Sequence, residues 1–209
     1  MTKNNLKGLY VITDDQLSGE HLLTHVQQAL AGGARLVQYR SKTGSEAARE
    51  HTARAVLELC RAQRVPLLIN DDVELAAKIG ADGVHLGQDD GRVIAARNKL
   101  GSGAIIGVTC HASLELAQTA QDEGASYVAF GRFFDSNTKP EAPPADLNIL
   151  REAKEVLDIP VCAIGGITPD NAPSLIEGGA DMLAVIHGVF GQPDVHMAAR
   201  HYAQLYCPE

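Results

Sequence analysis

The chain has 209 residues, 45% hydrophobic and 21% charged, which is enough for one domain with a substantial core. Eighteen basic against 26 acidic residues leave a net charge of −8 with histidine counted neutral. That balance argues against sequence-independent nucleic-acid binding, which needs a cationic face, and no apolar run approaches the ~20 residues of a membrane-spanning helix.

The opening Met1-Thr-Lys-Asn-Asn runs into a strand-like segment without the apolar stretch of a signal peptide. Cys60, Cys110, Cys162 and Cys207 are scattered and form no CxxC pair. A disulfide or zinc framework is not expected. The chain reads as cytoplasmic, and a homo-oligomer is compatible with it.

Short runs rich in Val, Ile and Leu recur along the whole sequence. Residues 9–12 come first, followed by helical periodicity over 20–30. Residues 36–39 precede a longer helical stretch, 45–63. Runs at 67–69, 84–86 and 105–108 follow, then a helix over 113–123. Runs at 127–130, 161–164 and 182–186 complete a set of eight, and 194–206 closes the chain as a helix. The runs lack clean polar–apolar alternation, which suits parallel strands covered on both faces.

Several runs are announced by similar phrases: Gly-Gly-Ala-Arg35, Gly-Ala-Asp82-Gly, Gly124-Ala-Ser126 and Gly-Gly-Ala-Asp181. Each fits a helix ending on glycine with positive φ, then a tight turn into a strand. Eight such β-then-α units predict an α/β fold, a single (β/α)8 TIM barrel over residues 1–209. A doubly wound sheet would rarely need eight units so evenly spaced. The active site is then expected at the C-terminal ends of the strands.

One connection is anomalous. Residues 132–146 follow the sixth strand, contain Pro140, Pro143 and Pro144, and show no periodicity. Connections of this length in a compact domain are usually functional or disordered. This one is expected to order over a bound anion, with Lys139 meeting it.

The strand ends are rich in charge. Gln38, Arg40 and Lys42 alternate in strand fashion, so they can share the inward direction. Two cations in a barrel mouth read as a phosphate or diphosphate site, with salt bridges to nearby aspartates as the alternative. Asp71 and Asp90 follow consecutive strands and should be neighbours, where facing carboxylates need a cation or a proton between them. Oxygen-only ligands favour Mg²⁺ over zinc. Asp72 reads as a helix N-cap and Asp89 as a solvated side chain.

Gly165-Gly166 and Gly188 stand where barrels commonly bind phosphate through backbone N–H groups, although tight turns alone would also explain them. His21, His25, His51, His196 and His201 fall in helices and are expected to be solvated. His85, His111 and His187 sit at strand ends, where acid–base work and hydrogen-bonding support are both open.

Taken together, these phrases resemble the thiamine-phosphate synthase (thiamine-phosphate pyrophosphorylase) family. The resemblance rests on Gly8-Leu-Tyr-Val-Ile-Thr-Asp14, Gln38-Tyr-Arg-Ser-Lys42, Ile69-Asn-Asp-Asp72 and Gly83-Val-His-Leu-Gly-Gln88. It continues through Tyr127-Val-Ala-Phe-Gly-Arg-Phe-Phe134, Ser136-Asn-Thr-Lys139 and Ala163-Ile-Gly-Gly-Ile-Thr-Pro169.

The resemblance implies a (β/α)8 transferase of thiamine biosynthesis. It would condense 4-amino-5-hydroxymethyl-2-methylpyrimidine diphosphate with hydroxyethylthiazole phosphate, giving thiamine phosphate and diphosphate. Carried over, Gln38, Tyr39, Arg40, Ser41, Lys42, Asn70, Thr109 and Lys139 would hold the pyrimidine diphosphate. Arg40, Lys42, Lys139 and Thr109 would form the catalytic set. Asp71 and Asp90 would ligate the Mg²⁺ cofactor. Ser136, Asn137, Thr138, Gly166, Ile186 and His187 would lie on the thiazole phosphate side. Two small phosphorylated substrates would be the only partners implied, with neither nucleic acid nor membrane.

Two positions depart from the family pattern. Ile186-His187 stands where Ile-Ser is usual, replacing a hydroxyl donor by an imidazole whose charge depends on pH. Thr109 stands where serine is usual, keeping the hydroxyl and adding a methyl group. A thiazole tautomerase using His111, on a similar barrel without the metal pair, is the competing enzyme reading. A barrel that merely binds a phosphorylated ligand is the non-enzymatic one.

Overall fold

The computed structural model describes residues 6–135 and 144–206. Eight parallel strands close into a barrel in sequence order. They are β1 Gly8–Ile12, β2 Leu36–Tyr39, β3 Leu67–Asn70, β4 Gly83–Leu86, β5 Ile105–His111, β6 Tyr127–Phe130, β7 Val161–Ile164 and β8 Met182–Val185. β1 pairs with β2 on one side and β8 on the other, so no edge is left open. This is the (β/α)8 barrel expected from the sequence.

The helices α1 Gly19–Ala31, α2 Glu46–Ala62, α3 Val73–Ile79, α4 Val93–Leu100, α5 Leu114–Asp122, α6 Asn148–Val156 and α7 Ala172–Glu177 follow their strands in turn. After β8 comes a single turn, α8 His187–Phe190, and then α9 Val195–Gln204, which completes the outer ring. Gly32 lets α9 approach α1: a Cβ there would lie 2.5 Å from the His196 carbonyl.

Every strand except β4, whose Val84 and Leu86 both face the helices, feeds two cores, which is why the apolar runs are continuous. Tyr10 and Ile12 point into the barrel with Leu36, Leu68, Ile105, Tyr127, Cys162 and Met182. Leu9, Val11, Val37, Ile69 and Val84 point outward and pack against the helices. The period of two is therefore present, with both faces apolar.

The repeated glycine phrases have two functions at the N-terminal end of the barrel. Gly33, Gly80, Gly124 and Gly179 all have positive φ, as helix-ending turns require. The polar residue that follows alanine in three of the phrases then caps the start of the preceding strand. Asp82 accepts from the Leu67 N–H at 2.8 Å, Ser126 from Ile106 at 3.0 Å and Asp181 from Val161 at 2.8 Å. A polar residue thus satisfies a backbone donor that the barrel rim would otherwise strand.

Three strand ends differ from expectation, β3 only by running one residue further to Asn70. β5 runs on to His111 through an irregularity between Thr109 and His111, where φ at His111 is 52°. β8 stops at Val185, because Ile186 already accepts the first hydrogen bonds of α8, from Val189 and Phe190. His187 therefore opens a helix rather than following a strand.

Candidate active site

The barrel interior is polar toward its C-terminal end. Gln38 is 1% exposed and its side-chain amide donates to the Tyr10 hydroxyl. Tyr10 meets the hydroxyl of Tyr127 at 2.9 Å, and Tyr127 meets His85 Nδ1 at 2.7 Å. His85 Nε2 in turn lies 2.8 Å from Thr109 Oγ1. Gln38 and Thr109, both expected to hold ligand, are thus joined through three side chains. Tyr10 and Tyr127 had no place in the expected site: an aromatic inside an apolar strand reads as core. Of the two histidine roles left open, His85 takes the hydrogen-bonding one.

β2 ends at Tyr39, so its alternation does not carry on to Lys42. The Tyr39 side chain is buried between barrel and helices, leaving only its backbone to the mouth. Arg40 is held at the rim by a salt bridge to Asp15, and its backbone exchanges hydrogen bonds with the Thr13 hydroxyl. Asp15 also accepts from the Lys42 N–H at 2.9 Å. Ser41 is turned onto the Thr43 carbonyl. The salt-bridge alternative is therefore realised for Arg40, but only one edge of the guanidinium touches Asp15 and other N–H donors stay available.

Asp71 and Asp90 are neighbours, as their strand order predicts. Burial, and then the Asp90 carboxylate beside it, push the Asp71 carboxyl above its usual range. Lys42 and the Asn70 amide pull it partly back. Asp71 has φ 62°, a left-handed conformation that aspartate tolerates better than most residues and that often marks functional turns. Asp90 accepts from the Gly87 N–H at 2.9 Å, and a Cβ on Gly87 would lie 2.4 Å from that carboxylate oxygen. Asp72 caps α3 by accepting from Leu75, and Asp89 is exposed, both as expected. Among the described residues no three His, Cys, Asp or Glu side chains converge. Two carboxylates with oxygen ligands only fit Mg²⁺, which completes its shell with water and phosphate oxygens.

Opposite them, Gly165 and Gly166 have φ of 107° and 61°. A Cβ on Gly166 would lie 2.3 Å from the Asp135 carbonyl, so the start of the β6–α6 connection packs directly on this turn. Gly188 is equally constrained, since a Cβ there would lie 2.4 Å from the Tyr202 hydroxyl and 2.9 Å from the Ile167 carbonyl. Ile186 packs over the top of the interior cluster. The His187 ring is exposed and lies along α8 over Gly191, where a Cβ would come within 2.2 Å of Nδ1. Ser136, Asn137, Thr138 and Lys139, and with them the expected closing loop, lie outside the described residues. His111 is exposed at the end of β5. His25 and His196 are half-buried rather than solvated, and Nδ1 of His25 is enclosed.

A protein-family model described as thiamine monophosphate synthase matches residues 9–189. The chain belongs to this family. It is 57% identical over 194 residues to a thiamine-phosphate synthase of Marinobacter nauticus, covering 92% of this chain and 87% of the relative. A thiamine-phosphate synthase of Alcanivorax borkumensis is 51% identical over 210 residues, covering 99% and 97%. Among solved structures, a thiamine phosphate pyrophosphorylase from Pyrococcus furiosus superposes with a TM-score of 0.87 at 35% identity, over 97% and 96% of the two chains. Within thiamine monophosphate synthase, then, the mouth described above is the candidate active site. The described part of the expected site divides into a Gln38–Thr109 side, an Asp71–Asp90–Lys42 side and a glycine-lined side after β7 and β8.

Proposed function

We propose that this mouth binds 4-amino-5-hydroxymethyl-2-methylpyrimidine diphosphate, that Asp71 and Asp90 would hold Mg²⁺ there, and that the pyrimidine passes to hydroxyethylthiazole phosphate. The overall reaction is that of the family: thiamine phosphate and diphosphate are formed. The observation that supports the metal-dependent form is the carboxylate pair, with Asp71 pushed up by burial and by Asp90 and with Lys42 beside it.

In the reaction the bond between the pyrimidine's methylene carbon and the diphosphate oxygen breaks, and the thiazole nitrogen lone pair forms the new C–N bond. The pyrimidine amino group delocalises the charge left on that carbon. Lys42 and the Arg40 N–H groups that do not meet Asp15 would take up charge from the departing diphosphate. Mg²⁺, when bound, would supply further charge neutralisation on the diphosphate oxygens. Gln38 and Thr109 orient the ring, and the backbone around Gly166 and His187 receives the thiazole phosphate. No side-chain nucleophile is required.

The deciding assay follows diphosphate release with each substrate alone, with both, and with chelator. Release is expected only with both substrates and Mg²⁺. Turnover that survives chelation would remove the metal from the reading.

His187→Ser tests the departure after β8. Because backbone N–H groups carry much of such a phosphate site, the apparent KM for the thiazole phosphate is expected to shift by about 1 kcal/mol, roughly fivefold, with Mg²⁺ use unchanged. An identical KM in both forms would make the ring a spacer over Gly191.

A further inference from the structure

The hydrogen-bonded series Gln38–Tyr10–Tyr127–His85–Thr109 draws one side chain from each of five strands. Its members are held tightly. The Tyr10 and Tyr127 rings meet edge to face at 5.9 Å, and His85 stacks on Tyr127 at 5.6 Å. Gly107 leaves room for the Tyr127 ring, which would otherwise meet a Cβ at 2.0 Å.

We propose that this series has a single direction, set by Gln38, and that it makes Thr109 a hydrogen-bond donor toward the ligand, with Tyr10, Tyr127 and His85 as positioning residues. The proposal rests on the functional reading above only for the identity of that ligand. An amide nitrogen can donate but not accept. The Tyr10 oxygen therefore accepts from Gln38, and the hydroxyl of Tyr127 is the remaining partner that its own buried hydrogen can reach. Tyr127 then donates to His85 Nδ1. A neutral imidazole that accepts at Nδ1 carries its proton at Nε2, so His85 donates to Thr109. The Thr109 hydrogen is left for an acceptor in the mouth, such as a ring nitrogen or a phosphate oxygen.

Two features keep the series intact. Burial pushes both phenols above their usual range, so neither ionises and breaks the series. The extra methyl of Thr109 stiffens χ1, so the hydroxyl stays on His85 rather than sampling other rotamers. The opposite direction would place the His85 proton on Nδ1 and make Thr109 an acceptor, suited to a ligand amino group. The histidine tautomer therefore reports the direction.

The experiment uses the full chain labelled with ¹⁵N-histidine, without substrates, and long-range proton–nitrogen correlation. The His85 signals are identified by their loss in His85→Asn. A bare Nδ1 and a protonated Nε2 are expected; a proton on Nδ1, or on both nitrogens, overturns the proposal. In Tyr127→Phe, which keeps the ring, His85 should lose its tautomer preference. In the same variant kcat/KM for the pyrimidine diphosphate should fall about tenfold, the equivalent of ~1.4 kcal/mol, with the KM for thiazole phosphate unchanged. An unchanged tautomer and kcat/KM would also overturn it. Should that variant fail to fold, the tautomer in the unsubstituted chain decides alone. An expected tautomer in a chain without synthase turnover would sink the functional reading and leave the direction standing, and the converse result would do the reverse.

Discussion

Asp71→Asn and Asp90→Asn are each expected to cut turnover by about 100- to 1000-fold, ~3–4 kcal/mol of transition-state stabilisation, while the barrel stays folded. Neither residue supports the core. Asp71 is half-buried at the rim and Asp90 is exposed. The Gly87 N–H that Asp90 receives can be received by an amide oxygen as well. What each variant loses is one negative charge facing another. In the unliganded protein that charge is a cost: the folded Asp71 carboxyl holds its proton more tightly than an unfolded one with a value near 3.8. Stability from this group is thus fully present below that value and is lost as pH rises through the raised one. At neutral pH the unliganded Asp71→Asn protein should melt no lower than its parent. Adding Mg²⁺ with diphosphate should raise the parent's Tm and leave the variant's nearly unmoved. Equal turnover and identical Mg²⁺ titrations in parent and variants would remove both aspartates as ligands.

Gly107→Ala should destabilise the fold by about 3 kcal/mol, at the upper end of overpacking costs. A Cβ at this position would lie 2.0 Å from Tyr127 Cζ and 2.3 Å from its oxygen. Neither side can yield easily. β5 is bonded to β4 and β6, and Tyr127 is wholly buried. The ring must move, taking its hydroxyl away from His85 and Tyr10, so activity should fall with stability. Gly103→Ala is the matched control, since nothing lies within 4 Å of a Cβ there and its φ is not positive. Urea unfolding of the two variants separates them. A Gly107→Ala protein as stable as Gly103→Ala would mean that the interior has slack around Tyr127.

Much of the site was legible because its signals are local. A strand end is visible in a dozen residues, and in a barrel every C-terminal strand end faces the same mouth. Asp71 and Asp90 could be put side by side from strand order alone, and Asp72 could be read as a cap from its place before a helix. The four-residue helix at His187 was not legible, since a single turn has too little periodicity to show.

What the sequence by itself determined was the alternation of strand and helix, the glycine-ended turns and the inventory of charges at the mouth, all properties of short segments. The tertiary structure decided which of those groups meet. Tyr10 and Tyr127 are 117 positions apart and touch only because β1 and β6 face each other across a closed barrel. Asp15 and Arg40 join because β1 and β2 are adjacent. Asp82 and Asp181 cap the strands before them, though each looks like an ordinary turn residue. A hydrogen bond needs its partners within about 3 Å, and only closure of the barrel sets distances that fine between residues so far apart in the chain.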